Sequence, residues 1–175
     1  MIEASIPIQL VVTDRQCTAE TIATHNNITH IRIERNSYGK DFDRDTYTCE
    51  VRDALIDHEI DLIAMAGFGT ILNKPIYDDF SNRILNTHPS LLPSFPGWHA
   101  VEEALEYGVK VTGCTVHIAT EEVDAGPILA QESIPVLKDD TKETLHERIK
   151  TVERQLYVDT INKIITTNGQ IERDQ

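Results

Sequence analysis

Short apolar runs and amphipathic stretches alternate along this chain, and their periods predict strands and helices in turn. Residues 61–66 form a short, continuously apolar run of the kind that is buried on both faces of a parallel sheet. Residues 45–58 instead place Tyr47, Val51 and Leu55 on one helical face. The predicted strands are 7–12, 28–33, 61–66, 83–86, 111–119 and 127–136, and the predicted helices are 45–58, 99–107 and one capped by Asp140-Thr141. This order predicts an α/β domain with a mainly parallel sheet flanked by helices.

Length and charge narrow the classes of function. The chain has 175 residues, 40% of them hydrophobic, which suits one domain over residues 1–175 with a polar, frayed end from Thr166. Its 16 basic and 29 acidic residues give a net charge of −13, which repels nucleic-acid phosphates and anionic membranes. We therefore expect small-molecule substrates, no nucleic acid and no membrane partner.

The cysteines and the N-terminal residues indicate the cellular compartment and whether a metal site is expected. Cys17, Cys49 and Cys114 are odd in number and show no CxxC spacing, so we expect neither a disulfide framework nor a zinc site. No signal peptide is recognised at Met1, and no apolar run approaches the roughly 20 residues that span a bilayer. These features predict a cytoplasmic protein without a metal.

The densest candidate chemistry lies in residues 86–97, where three prolines and a glycine stiffen a loop after an apolar strand. Asn86 and His88 are two positions apart, so in an extended segment their side chains point the same way. An amide donor beside an imidazole suits acyl transfer, because the amide can stabilise an oxyanion and the imidazole can move a proton. The alternative is that both side chains only hydrogen-bond a tight loop.

A second candidate is Asp124, which precedes Ala125-Gly126-Pro127 in a predicted loop. A carboxylate there can orient a histidine, although an ordinary turn aspartate fits the same pattern. His117 lies within a predicted strand and is expected to be a hydrogen-bonded structural histidine. Cys114, also within that strand, is expected to be buried rather than nucleophilic.

Two motifs, Asn86-x-His88-Pro89-Ser90-Leu91-Leu92-Pro93 and Asp124-x-Gly126-Pro127, together resemble the signature of the folate-dependent formyltransferases. The resemblance runs from about residue 11 to about 165, with further agreement at 66–68, 112–117, 123–131 and at Glu153 with Tyr157. It implies a formyltransferase-type Rossmann-like fold. It also implies transfer of a formyl group from 10-formyltetrahydrofolate to an amine. Pro89 makes it strongest to the members that formylate glycinamide ribonucleotide in purine biosynthesis.

The resemblance also implies roles for individual residues. Asn86, His88 and Asp124 match the catalytic positions of the family. The positions that match the folate site are Ile71, Leu72, Thr120, Glu121, Glu122, Val123 and Asp124. The positions that match the acceptor site are Arg44, Pro89, Lys150 and Glu153. The resemblance implies folate as co-substrate and no metal.

The chain departs from the family pattern at its N-terminus. The family has a first strand and a glycine-rich loop that binds the acceptor phosphate at a helix N-terminus. Here residues 8–14 match the second strand, and the first glycine is Gly39. This predicts an N-terminally shortened domain, weak binding of the ribonucleotide, and a homodimer that covers a bare strand edge. The alternative is a folate-binding relative with weak activity or a different amine acceptor.

Overall fold

A computed structural model describes residues 1–37 and 39–167, which divide into two compact units. The N-terminal unit comprises residues 7–84 with Ile2, and the C-terminal unit comprises the chain from Leu85 onward with Met1 and Glu3–Ile6. The single domain over residues 1–175 stays a prediction. Residues 168–175, where most of the predicted fraying falls, lie outside the described residues.

Strands and helices alternate in the N-terminal unit. They are β1 (Leu10–Thr13), α1 (Thr18–His25), β2 (Thr29–Arg32), α2 (Arg44–Asp57), β3 (Ile63–Ala64) and α3 (Lys74–Asp79). β1 and β2 pair in parallel, with α1 as the crossover between them. The apolar pattern of the sequence does not predict α1 or α3. Only Ala23 is buried in α1 and only Ile76 in α3, so neither presents the broad apolar face by which helices are recognised.

Helix α2 forms where the pattern places it. The Asp43 carboxylate accepts the Thr46 N–H at 3.0 Å and so satisfies one of the free donors at the helix N-terminus. Tyr47, Val51 and Leu55 are buried, so the predicted apolar face of this helix is confirmed.

The C-terminal unit carries the remaining elements. They are β4 (Ile84–His88), α4 (Ala100–Tyr107), β5 (Val111–Ile118), β6 (Ile128–Pro135) and α5 (Lys142–Thr166). β4 pairs with β5, and β5 with β6, and both pairs are antiparallel. Residues 119–127 are too few for the crossover that a parallel β5–β6 pair would need. The α/β class is thus confirmed, with parallel pairing at β1–β2 and antiparallel pairing in this unit.

Helix α5 closes one face of the C-terminal unit. Thr141 and Thr144 form a reciprocal capping box, which confirms the predicted start of the helix. Leu145 and Ile149 are fully buried, in a cluster with Val101, Cys114 and Ile134. Further along, the Tyr157 hydroxyl donates to the Leu85 carbonyl of β4 at 2.9 Å. This packing holds β4, and with it Asn86 and His88, against α5.

Candidate active site

The register of β4 on β5 brings four polar side chains together. Asn86 pairs with His117, and His88 pairs with Thr115. Residues directly opposite each other in an antiparallel pair share a face, and residues two apart on one strand share it too. Asn86, His88, Thr115 and His117 therefore lie on one face of the β4–β5 ribbon.

Asp124 approaches this face from the connection between β5 and β6. Its Oδ2 atom lies 3.3 Å from Nδ1 of His88, and each of the two side chains is only 5% exposed. The other ring nitrogen of His88, Nε2, donates to the Phe95 carbonyl at 2.7 Å. Each ring nitrogen of His88 thus has a partner, and the Asp124 carboxylate fixes the orientation of the imidazole.

The backbone around Asp124 explains the Asp-x-Gly-Pro motif. Asp124 has a φ of 56°, in the left-handed region that residues other than glycine seldom adopt. Its Oδ2 accepts the Gly97 N–H at 2.7 Å. A Cβ atom at Gly126 would lie 1.8 Å from the Ile118 carbonyl oxygen. The glycine therefore lets the connection pass close to β5 and turn the carboxylate toward His88.

His117, expected from the sequence to be a structural histidine, also lies beside the candidate catalytic residues. Its Nδ1 donates to the Ile118 carbonyl at 3.0 Å, as a structural histidine would. Its Nε2 lies 3.3 Å from Nδ2 of Asn86 and 3.6 Å from Oδ1 of Asp124. Burial lowers the pKa of His117, so the neutral ring is favoured and Nε2 accepts an N–H of the Asn86 amide. His117 therefore orients that amide, and only the strand register reveals it.

Three of the predicted acceptor residues lie in the C-terminal unit. Pro89 directly follows His88 and is half-buried. Glu153 projects from α5, where burial raises the pKa of its carboxyl group against an opposing hydrogen bond from Thr87. Lys150, one turn earlier, pairs with Glu147 at 2.8 Å. Their contact with an acceptor stays a prediction.

The predicted folate residues lie in both units. Ile71 and Leu72 precede α3 in the N-terminal unit, and Leu72 is buried. The stretch from Thr120 to Asp124 forms the β5–β6 connection, where the Thr120 hydroxyl donates to the Glu122 carbonyl at 2.9 Å. Arg44, predicted to meet the acceptor phosphate, is the exposed first residue of α2. Their roles in binding are untested.

The described part of the chain offers little evidence for a cysteine nucleophile, a metal site or a membrane span. Burial raises the pKa of the Cys114 thiol to about 11, so at neutral pH it is protonated and not a nucleophile. Among residues 1–37 and 39–167, no cluster of three or more His, Cys, Asp or Glu is arranged to hold a metal ion. Within the same residues, no helix has the length and apolar character needed to cross a membrane.

The arrangement suits acyl transfer. The Asn86 amide has two N–H groups; one donates to His117, and the second can donate to an oxyanion. His88, held by Asp124, is placed to move a proton beside it. A half-buried amide, an imidazole and a carboxylate thus converge on one face of β4 and β5.

Comparison with known proteins agrees with this chemistry. Residues 3–161 match the family model described as formyl transferase. The phosphoribosylglycinamide formyltransferase of Mycobacterium tuberculosis is 45% identical over 153 residues, covering 87% of this chain and 70% of that protein. The crystal structure of glycinamide ribonucleotide transformylase 1 from Symbiobacterium toebii superposes with a TM-score of 0.84 at 38% identity, covering 91% of this chain and 76% of that one. The crystal structure of a formyltetrahydrofolate deformylase from Pseudomonas syringae superposes with a TM-score of 0.79 at 27% identity, covering 88% of this chain and 50% of that one. This chain belongs to the formyl transferase family.

Proposed function

We propose that this chain transfers the formyl group of 10-formyltetrahydrofolate to the amine of glycinamide ribonucleotide, a step of purine biosynthesis. The observation that carries the proposal is the contact of the Asp124 carboxylate with the His88 imidazole, beside the Asn86 amide. The names of its relatives support the same reaction, since phosphoribosylglycinamide formyltransferase and glycinamide ribonucleotide transformylase are among them.

The proposed reaction begins when the acceptor amine attacks the formyl carbon. A C–N bond forms, and the formyl oxygen takes the negative charge of a tetrahedral intermediate. The second N–H of Asn86 stabilises that oxygen. The proton lost by the amine passes, with His88 as carrier, to N10 of the folate as the bond from the formyl carbon to N10 breaks. Asp124 stabilises the ring while it holds this proton.

Binding residues are part of the proposal. Ile71 and Leu72 offer apolar side chains, and the 120–124 connection offers backbone donors and acceptors, which suits a flat polar pterin. Among the acceptor residues, Arg44 and Lys150 supply positive charge for a phosphate, and Pro89 and Glu153 line the amine. Separate substitutions at Leu72 and at Val123, each followed by calorimetric titration of a folate analogue, test the two folate segments independently.

The decisive experiment measures tetrahydrofolate release from 10-formyltetrahydrofolate with and without glycinamide ribonucleotide. Release that requires the ribonucleotide and yields its formylated product supports the proposal. Release without any amine would identify a hydrolase, the reaction that the Pseudomonas syringae relative is named for. Folate binding without release would identify a folate-binding relative. Transfer only to unphosphorylated amines would identify a different acceptor.

The assembly and the location are proposed as well. We propose a homodimer in the cytoplasm, acting on small molecules without nucleic acid or a membrane. Sedimentation velocity at micromolar concentration tests the dimer, because a single species of 19.8 kDa would contradict it. Cell fractionation with antibody detection tests the location.

A further inference from the structure

A row of three residues crosses the sheet of the C-terminal unit at His88. Thr115 on β5 is the register partner of His88 on one side and of Gln131 on β6 on the other. Directly opposed residues share a face, so the three side chains lie in one line on the face that carries the candidate site. Thr115 and Gln131 have no role in the proposed chemistry, yet both are polar and sit beside it.

The Thr115 hydroxyl is fully engaged. It has one hydrogen and two lone pairs, and the side chain is completely buried. The hydrogen is donated to the Ser90 carbonyl at 2.7 Å. The oxygen accepts the Leu92 N–H at 3.1 Å and an Nε2–H of Gln131 at 2.9 Å. Ser90 and Leu92 both belong to the loop of residues 89–97, which leaves β4 directly after His88.

Gln131 completes the same arrangement. Its Nε2 carries two hydrogens, of which one goes to Thr115 and the other to the Leu92 carbonyl at 2.9 Å. Three backbone groups of the 89–97 loop are therefore satisfied by two side chains of the sheet. A backbone group buried without a partner is costly, so this pair of side chains determines where the first half of the loop can lie.

The second half of the loop contacts His88 and Asp124. The Phe95 carbonyl accepts from His88 Nε2 at 2.7 Å, and the Gly97 N–H donates to Asp124 Oδ2 at 2.7 Å. Between the two halves, the Ser90 hydroxyl donates to the Ser94 carbonyl at 2.5 Å. A shift of the loop at Ser90 is thus passed on to the two groups that orient His88 and Asp124.

We propose that Thr115 and Gln131 are positioning residues, which hold the 89–97 loop and, through it, the imidazole of His88 in the orientation needed for formyl transfer. The inference rests on the proposed function. Neither residue contacts the ring of His88 through a hydrogen bond, so their effect is on geometry. Misplacement of a catalytic group by about 1 Å can cost roughly 100-fold in rate, which sets the size of the effect to expect.

The test compares four single variants, and the double variant of Thr115→Val with Gln131→Met, with the wild type. Thr115→Val keeps the shape and removes the hydroxyl, Thr115→Ser keeps the hydroxyl, and Gln131→Met removes the amide donor. The control is Thr160→Val, because Thr160 is also a buried threonine whose hydroxyl donates to a carbonyl, that of Leu156 in α5. The measurements are kcat, KM for 10-formyltetrahydrofolate, amide hydrogen exchange of the 89–97 loop, and the ring ¹⁵N shifts of His88.

The expected outcome separates positioning from general stability. Thr115→Val and Gln131→Met lower kcat by about 10- to 100-fold and leave KM within about threefold. They also speed exchange in the loop and shift the His88 ring signals. Thr115→Ser recovers kcat to within about threefold of the wild type, and Thr160→Val leaves both the rate and the loop unchanged. The double variant is expected to lose less than the product of the single losses, because both residues hold the same loop.

Several results would overturn the inference. They are an unchanged kcat in Thr115→Val, an equal loss of kcat in Thr160→Val, or loop exchange identical to the wild type in both Thr115→Val and Gln131→Met. If Thr115→Val does not fold, Gln131→Met decides it, and an unchanged kcat with unchanged loop exchange in that variant would overturn the inference. If the wild type transfers no formyl group, the proposed function fails, while exchange and the His88 ring signals decide separately whether the two residues hold the loop.

Discussion

Nε2 of His117 lies 3.3 Å from Nδ2 of Asn86, its register partner across β4 and β5. Because Nδ1 of His117 donates to the Ile118 carbonyl, the neutral ring offers Nε2 as an acceptor. This contact selects one orientation of the Asn86 amide, with its nitrogen toward His117. The two residues are 31 positions apart, and each acquires its role from the other.

His117→Phe removes the acceptor while filling most of the ring volume. We expect kcat to fall by about 10- to 100-fold, because a freely rotating Asn86 amide stabilises an oxyanion less often, and one such donor is worth about 100- to 1000-fold. His117→Gln retains an acceptor and should recover part of the loss. Steady-state kinetics of both variants tests this, and equal rates for His117→Phe and the wild type would show that the amide needs no such support.

The pH dependence of stability should reveal His117. Burial lowers its pKa below the ordinary 6.5, so the unfolded chain takes up a proton near pH 6.5 while the folded chain does so only at lower pH. In that window the unfolded state binds more protons, and the free energy of unfolding falls as the pH drops, by up to about 1.4 kcal/mol per pH unit for this group. The contribution of His117 to the free energy of unfolding is fully present above pH 6.5. Urea denaturation between pH 5 and pH 8 should show a steeper decline for the wild type than for His117→Gln, and parallel curves would contradict this.

His88→Ala should lower kcat for formyl transfer by at least about 100-fold, the usual cost of losing a proton-transfer group. Asp124→Asn should lower it as well, because the amide cannot stabilise a charged ring. A suitable control is His58→Ala, since His58 is an exposed histidine at the C-terminal cap of α2 and its ring donates to the Ala54 carbonyl. A rate within a few fold of the wild type for His88→Ala would remove this residue from the mechanism.

Gly126→Ala should disturb the connection that carries Asp124. The new Cβ atom would lie 1.8 Å from the Ile118 carbonyl oxygen, so the backbone has to move. We expect a loss of about 1–3 kcal/mol in the free energy of unfolding, as for other overpacked sites, together with a lower kcat. At Gly39 a Cβ atom meets nothing within 4 Å, so Gly39→Ala is a matched control that should change stability by less than about 0.5 kcal/mol. Thermal unfolding and initial rates measure both effects.

Local patterns in the sequence predicted much of the secondary structure. Helix α2 and the cap of α5 were predictable, because the spacing of apolar residues and the capping threonine are properties of adjacent positions. Helices α1 and α3 were missed, since each buries a single residue and leaves no periodic signal. The antiparallel pairing of β4, β5 and β6 was missed as well, because an apolar run does not specify the direction of its neighbour.

The sequence by itself determined the chemistry that is available: an amide and an imidazole two positions apart, and a carboxylate before a glycine and a proline. Only the tertiary structure decided how these groups are oriented. The register of β4 on β5 put His117 beside Asn86 and Thr115 beside His88, and the return of the 89–97 loop put the Phe95 carbonyl on the imidazole. The physical reason is that side-chain identity is local, whereas a hydrogen bond between residues 7 to 31 positions apart exists only after strands pair and loops close.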